Sequence, residues 1–175
     1  MNLKLSAWAA IVSVVIIIPG FIIAILKGLH PDDVVAHFLF IVISILELII
    51  FIPIYLGYLK IAKIKKLKFL AVMQSISFVT AILLTILAIS TIKLAFLPGL
   101  ILAISLGIIV IITGVAIFKL KDIFGGIIIA IGVMYIINGV FYISVILTAL
   151  SPLMGIATLI LEAIFFFRAS KKFEA

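Results

Sequence analysis

The sequence contains no cysteine, so disulfides, thiolate nucleophiles and cysteine-ligated zinc or iron–sulfur clusters are excluded. It also has only two histidines, His30 and His37, and neither lies deep within an apolar run, which argues against haem held within a helical bundle. G-x-S-x-G, H-E-x-x-H, phosphate-binding-loop and potassium-filter motifs are absent as well. We therefore expect neither an enzyme nor a bound cofactor.

Charged residues are almost as scarce. They make up 11% of the chain, against 68% hydrophobic residues, whereas soluble domains have about 25% charged and about 45–50% apolar residues. The charges gather in short clusters between long apolar runs, which is typical of a polytopic membrane protein. No cluster is long enough to form a soluble domain, so we expect one transmembrane domain over residues 1–175.

The apolar runs predict an all-α bundle of about six transmembrane helices. A bilayer core of about 30 Å requires about 20 apolar helical residues, and six segments reach that length or approach it. Their predicted bounds are residues 6–26, 34–59, 69–92, 94–118, 123–150 and 152–167. Only Ser151-Pro152 separates the last two segments, and a proline in the first turn of a new helix fits a tight hairpin there.

The distribution of cations predicts the orientation. With six spans, one side of the membrane receives every lysine and arginine except Lys27 and Lys93. Under the positive-inside rule this side is the cytoplasm, which places both termini inside a multi-pass protein of the cell membrane. The residues assigned to this side are Lys4, Lys60, Lys63, Lys65, Lys66, Lys68, Lys119, Lys121, Arg168, Lys171 and Lys172.

The net charge of +7 raises the question of an anionic partner. The lysines stand beside apolar segments, so we expect anionic lipid headgroups rather than nucleic acid. The densest run predicts a cytoplasmic loop at headgroup level, with a nucleotide or an acidic protein surface as the alternative. Its lysines are Lys60, Lys63, Lys65, Lys66 and Lys68.

Small residues form two stripes that favour close helix packing. Where lipid provides no hydrophobic drive, small side chains allow helix backbones to approach each other. We predict packing within the chain, with docking of another membrane subunit or a second copy as the alternative. The stripe residues are Gly99, Ala103, Gly107 and Gly114 in the fourth segment and Gly125, Gly132 and Gly139 in the fifth.

Glu47 lies near the middle of the second segment, where inserting an acidic side chain costs on the order of 3 kcal/mol. Ser44, Tyr55 and Tyr58 give its helix a partly polar flank. The functional interpretation is a proton or cation relay. The structural alternative is a protonated carboxyl that bonds to a neighbouring helix or to a partner subunit.

Three further polar residues occur within the apolar segments. Asn138 lies near the midplane, where hydrogen bonding between helices is the commonest role, and Gln74 lies in the third segment. Glu162 lies nearer the cytoplasmic end, which favours an interfacial or salt-bridged carboxylate over a relay. If these residues converge with Glu47, they line a hydrated cavity.

His30, Asp33 and His37 fall in the predicted outer loop and form a weak candidate metal site. The same segment also has the features of a helix start, with Pro31 near the first turn and acids at the positive end of the helix dipole. We favour the helix start and expect no metal.

Two functions lead after these exclusions, and a membrane enzyme that takes its missing chemistry from a cofactor or a partner comes third. The sparse polar content favours a noncatalytic accessory or scaffold subunit of a larger membrane complex. The alternative is a small proton-coupled or cation-coupled transporter, or a channel, in which Glu47 titrates at the bilayer midplane and Asn138 helps to bind the cargo.

Overall fold

A computed structural model describes residues 2–90, 96–144, 147 and 150–174, and within this part of the chain all regular structure is helical. Six of the described helices are long and apolar enough to cross a membrane, which confirms the predicted fold class and number of spans. The helices are α1 (Leu3–Leu29), α2 (Val34–Ile64), α3 (Lys68–Ile89), α4 (Phe96–Ile117), the short α5 (Lys121–Phe124), α6 (Gly126–Ser144) and α7 (Ser151–Phe173).

Polar side chains fix the helix starts. The Asn2 carboxamide oxygen accepts a hydrogen bond from the Lys4 amide at 2.8 Å and caps α1. Asp33 caps α2 by accepting from the amides of Val35 and Ala36 at 2.8 and 3.2 Å. These carboxylate bonds satisfy amides that have no partner within the helix. Pro152 lies in the first turn of α7, as the sequence predicts.

Several helices end elsewhere than predicted. Helix α2 continues to Ile64 rather than residue 59, and α7 to Phe173 rather than residue 167, since lysines stop an apolar run without stopping a helix. The predicted fifth segment starts too early, because Gly125 adopts a φ of +62° and separates α5 from α6. Lys93 lies outside the described residues.

The six spanning helices form a closed ring. Helix α1 packs against both α2 and α7, and the ring continues through α3, α4 and α6. Because the connections are short, helices that are adjacent in sequence pack against each other. The contact between α1 and α7 is different, since it joins the two ends of the chain. The six helices surround a space at the centre of the ring.

The closest helix pair is α4 and α6, whose glycines face each other. A Cβ atom at Gly107 would lie 2.6 Å from the Gly139 carbonyl oxygen, and one at Gly114 would lie 2.7 Å from that of Gly132. Four residues of the predicted stripes therefore form a seam within the chain. Ala103 is half-buried.

Two stripe residues lie away from this seam. A Cβ atom at Gly99 or Gly125 would meet no described atom within 4 Å. Gly125 serves a turn instead, since its positive φ is one that side chains rarely allow.

Among the described residues, the densest packing lies at one end of the bundle. We call this the lysine-rich end, marked by Lys4, Lys60, Lys121 and Lys172, and the other the distal end, marked by the loop at residues 30–33. In α1 every buried residue lies between Leu3 and Ala10. The large, fully buried side chains gather at the lysine-rich end or next to it, and include Tyr58, Phe165, Phe166, Leu70, Ile117 and Leu120.

A polar clasp joins both chain ends to α2 at the lysine-rich end. The Glu174 carboxylate accepts hydrogen bonds from the Leu3 amide at 2.9 Å and from the Lys60 ammonium. Lys65 stacks over Phe173, and Lys172 donates to the Ile123 carbonyl at 3.2 Å. The predicted cationic clusters therefore share one end of the bundle.

Candidate functional site

The centre of the ring holds a partly open cavity of about 350 Å³. All six spanning helices contribute to its wall, and the lining begins beyond the dense core of the lysine-rich end. Its polar lining residues are Ser13, Glu47, Gln74, Ser77, Thr80, Thr113, Tyr135, Asn138, Tyr142, Thr158 and Glu162. Polar groups concentrated inside a membrane bundle mark a candidate solute or ion site.

The structure brings together the four polar residues that the sequence singles out. Glu47 from α2, Gln74 from α3, Asn138 from α6 and Glu162 from α7 all line this cavity. The contact between α1 and α7 closes the ring, so that α7 completes the wall of this cavity. The roles of these residues in coupling or cargo binding stay predictions.

Glu47 occupies an open position in the wall. Its side chain is partly buried and makes no hydrogen bond to any residue in the described part of the chain. It also borders a second hollow of about 430 Å³, whose wall includes Ser44 and Thr85 in the distal halves of α2 and α3. Gly20 of α1 lies directly against its carboxylate. A molecule in the cavity could therefore reach a carboxylate that no donor from the described part of the chain occupies.

Glu162 lies in a closed environment, in contrast to Glu47. The side chain is 1% exposed, and its Oε1 accepts hydrogen bonds from Tyr58 at 2.9 Å and Tyr135 at 2.8 Å. The salt bridge suggested by the sequence is not found among the described residues, where the one ion pair joins Lys60 to Glu174. The position of Glu162 near the membrane interface stays a prediction.

Gln74 and Asn138 carry buried polar atoms without partners. Neither the side-chain nitrogen of Gln74 nor the side-chain oxygen of Asn138 makes a hydrogen bond within the described structure, and Gln74 is only 2% exposed. The predicted interhelical bond to the Asn138 oxygen is not found there. Leaving such a group unpaired costs about 1–3 kcal/mol, so both side chains have unused hydrogen-bonding capacity next to the cavity.

Sequence reasoning missed two tyrosine roles. The sequence suggests Tyr58 only as part of a polar flank beside Glu47 and does not single out Tyr135, but the hydroxyls of both tyrosines meet at Glu162. Thr113 is also not predicted, although it bonds Ser77 at 2.8 Å across α3 and α4.

The outer-loop metal candidate has no support. Among the described residues no three acidic or histidine side chains come close enough to hold a metal ion. The Oδ1 atom of Asp33 serves as the cap of α2, in agreement with a helix start at this position. The helix-start interpretation accounts for this segment.

The predicted headgroup lysines divide into two groups. Lys63, Lys65, Lys66 and Lys68 are exposed around the turn between α2 and α3, whereas Lys60 pairs with Glu174. Partial burial raises the pKa of the Glu174 carboxyl, but the hydrogen bonds from Lys60 and the Leu3 amide outweigh this effect and hold the pKa below its usual value of 4.5. Glu174 is therefore ionised at neutral pH.

Comparisons with protein-family models, curated proteins and solved structures found no match. The basis for assigning a function is therefore the chemistry of the cavity and the architecture around it.

Proposed function

We propose that this chain is a small carrier of the cell membrane that couples proton or cation movement to a solute, with Glu47 as the coupling group. One observation supports this above all. Glu47 lies inside a six-helix membrane bundle, on the wall of a polar cavity, with no hydrogen-bond partner among the described residues. An ionisable group is costly at this depth, and such groups commonly mark ion or proton paths.

The proposed orientation places the lysine-rich end in the cytoplasm. The positive-inside rule favours it, and the exposed lysines between α2 and α3 would then meet anionic headgroups. The second hollow at Glu47 is lined by distal residues such as Ser44 and Thr85. In this orientation the dense core of the lysine-rich end lies between the cavity and the cytoplasm.

The accessory-subunit hypothesis stays the alternative. Gly107, Gly114, Gly132 and Gly139 pack against each other within the chain, so these four residues do not form a free face for docking a partner. The proposed carrier needs no catalytic step and no resident cofactor.

Purified protein in liposomes tests the proposal. A pH-sensitive dye and tracer Na⁺ inside the vesicles would report proton or cation flux under an imposed gradient. We expect flux above that of empty vesicles, at least a tenfold loss in Glu47→Gln, and partial activity in Glu47→Asp. Asp32→Asn, the same acid-to-amide change on the exposed loop, is the matched control and should retain full flux.

Two results would overturn the proposal. One is wild-type flux no greater than that of empty vesicles. The other is full flux in Glu47→Gln, which would remove this carboxylate from the mechanism. Size-exclusion profiles of each variant separate lost activity from lost folding.

A further inference from the structure

The charges of the cavity wall favour a cationic guest. The two acids among the described wall residues, Glu47 and Glu162, can carry negative charge, and none of the described residues that line the cavity is a lysine, arginine or histidine. The Glu162 oxygen is already held by two tyrosine hydroxyls. Glu47 is therefore the carboxylate that is available to a positively charged group.

The size of the cavity favours an organic cation over a bare metal ion. A volume of about 350 Å³ exceeds by roughly tenfold the ~30 Å³ share of one water molecule. Hard metal ions such as Ca²⁺ prefer six or more oxygen ligands, and no cluster of three acidic or histidine side chains exists among the described residues. The space suits a molecule on the order of ten non-hydrogen atoms.

Aromatic and aliphatic side chains complete the fit. Phe51, Tyr135 and Tyr142 line the same cavity as Glu47, and aromatic rings attract ammonium groups through their negative faces. Aliphatic residues such as Leu84 and Ile109 also line it and can cover an apolar body. A weakly hydrated ammonium ion loses little hydration free energy when it enters such a site.

Two unpartnered atoms add directional recognition. The Gln74 side-chain nitrogen can donate a hydrogen bond, and the Asn138 side-chain oxygen can accept one. A guest that carries a hydroxyl or a similar group beside its cationic head could satisfy both.

We propose that the cavity binds a small organic ammonium ion, with Glu47 as its counter-ion and the Tyr142 ring against its cationic head. This inference deepens the proposed carrier function and rests on it for the idea that the guest is transported. The binding site itself stands on the charge, size and lining of the cavity.

Equilibrium binding to purified protein tests the ligand class. The probes are trimethylammonium, choline, tetraethylammonium and benzyltrimethylammonium, and 3,3-dimethylbutan-1-ol serves as the uncharged isostere of choline. We expect at least one ammonium ion to bind below about 10 mM, and choline to bind at least about tenfold more tightly than its isostere.

Two variants connect binding to the named residues. Glu47→Gln should weaken ammonium binding about tenfold or more, whereas Asp32→Asn should leave it unchanged. Tyr142→Leu should weaken it about threefold or more, and Tyr142→Phe, which keeps the ring, should preserve it. Two separate sites of substitution keep the test valid if one variant fails to fold.

The outcomes separate this inference from the carrier proposal. Absence of binding by all four ammonium ions, or equal binding of choline and its isostere, overturns the ligand class. Glu47-dependent proton or Na⁺ flux in that case leaves the carrier standing. Glu47-dependent ammonium binding without any flux would overturn the carrier and leave a ligand-binding membrane protein.

Discussion

The Glu47 carboxylate lies against Gly20 of α1, so that a Cβ atom added to Gly20 would stand 2.7 Å from Glu47 Oε1 and 3.1 Å from Ile43 Cγ2. Glycine at this position leaves the space that the carboxylate occupies. The contact connects α1 to the cavity, although α1 itself contributes no ionisable group to the wall.

Gly20→Ala should therefore impair function more than folding. The Glu47 side chain is flexible at its far end and can move away, and alanine favours the helix, so the melting temperature should change little. We expect flux or ammonium binding to fall about threefold or more as the carboxylate is displaced. Gly28→Ala in the same helix, where a Cβ would meet no described atom within 4 Å, is the control. Equal activity of the two variants would contradict the prediction.

The glycine seam predicts a stability effect at Gly139. A Cβ atom there would lie 2.6 Å from the Gly107 carbonyl oxygen and 3.0 Å from the Ile111 amide nitrogen, and neither backbone atom can rotate away. Gly139→Ala should force α4 and α6 apart and cost about 1–3 kcal/mol in the free energy of unfolding. Denaturant unfolding in detergent measures this cost. Gly126→Ala, in open space at the start of α6, should be neutral or slightly stabilising.

The hydroxyls at Glu162 predict a coupled pair of substitutions. Tyr58→Phe or Tyr135→Phe alone should each destabilise the fold by about 1 kcal/mol, because one donor to the buried carboxyl remains. The double variant should cost more than the sum, since it removes the last donor to this oxygen. Tyr55→Phe is the matched control, because its hydroxyl meets only the neutral Ser75 at 3.1 Å. Strict additivity in unfolding experiments would show that the two hydroxyls act independently.

The clasp at Glu174 predicts a pH-dependent contribution to stability. Its lowered pKa means that the folded state favours the ionised carboxylate, so the stabilisation is complete above the unfolded value and declines as pH falls through the folded value. The difference in melting temperature between wild type and Glu174→Gln should be full above about pH 5 and should shrink below about pH 4. Asp122→Asn, an exposed acid at the same end, controls for the loss of one charge. A difference that is constant down to pH 3 would be the contrary result.

The absence of cysteine makes the orientation easy to test. Single cysteines introduced at Lys63 and at Asp32, on opposite ends of the bundle, should react with a membrane-impermeant maleimide from opposite sides. In intact cells Asp32→Cys should label at once and Lys63→Cys only after permeabilisation. Lys171→Cys should behave like Lys63→Cys. Labelling of the Lys63 and Asp32 positions from the same side would refute a membrane-crossing α2.

Much of the fold could be predicted from hydropathy and charge. The lengths of the apolar runs gave six helices, and the acids after Pro31 gave the start of α2 at Val34. Helix ends were less accurate at Lys60 and Arg168, because a charged side chain can extend to the interface while its backbone stays helical. The side of the membrane on which the lysine-rich end lies stays a prediction.

The candidate site was predictable in its residues but not in its geometry. Glu47, Gln74, Asn138 and Glu162 stand out as polar residues in apolar segments, and the structure gathers them in one cavity. Their environments could not be inferred, since helices that are apolar all round give no signal of which face points inward. The two tyrosine partners of Glu162 depend on this rotation and on the contact of α7 with its neighbours.

Unequal helix lengths have a consequence for the surrounding lipid. Helix α2 has 31 residues and is roughly 46 Å long, whereas α3 has 22 residues and is roughly 33 Å long. A bilayer that matches α3 forces α2 to tilt or protrude, and one that matches α2 must thin around α3. Acyl-chain length should therefore bias the angle between these two neighbouring helices, so that membrane thickness acts on the same cavity that contains Glu47.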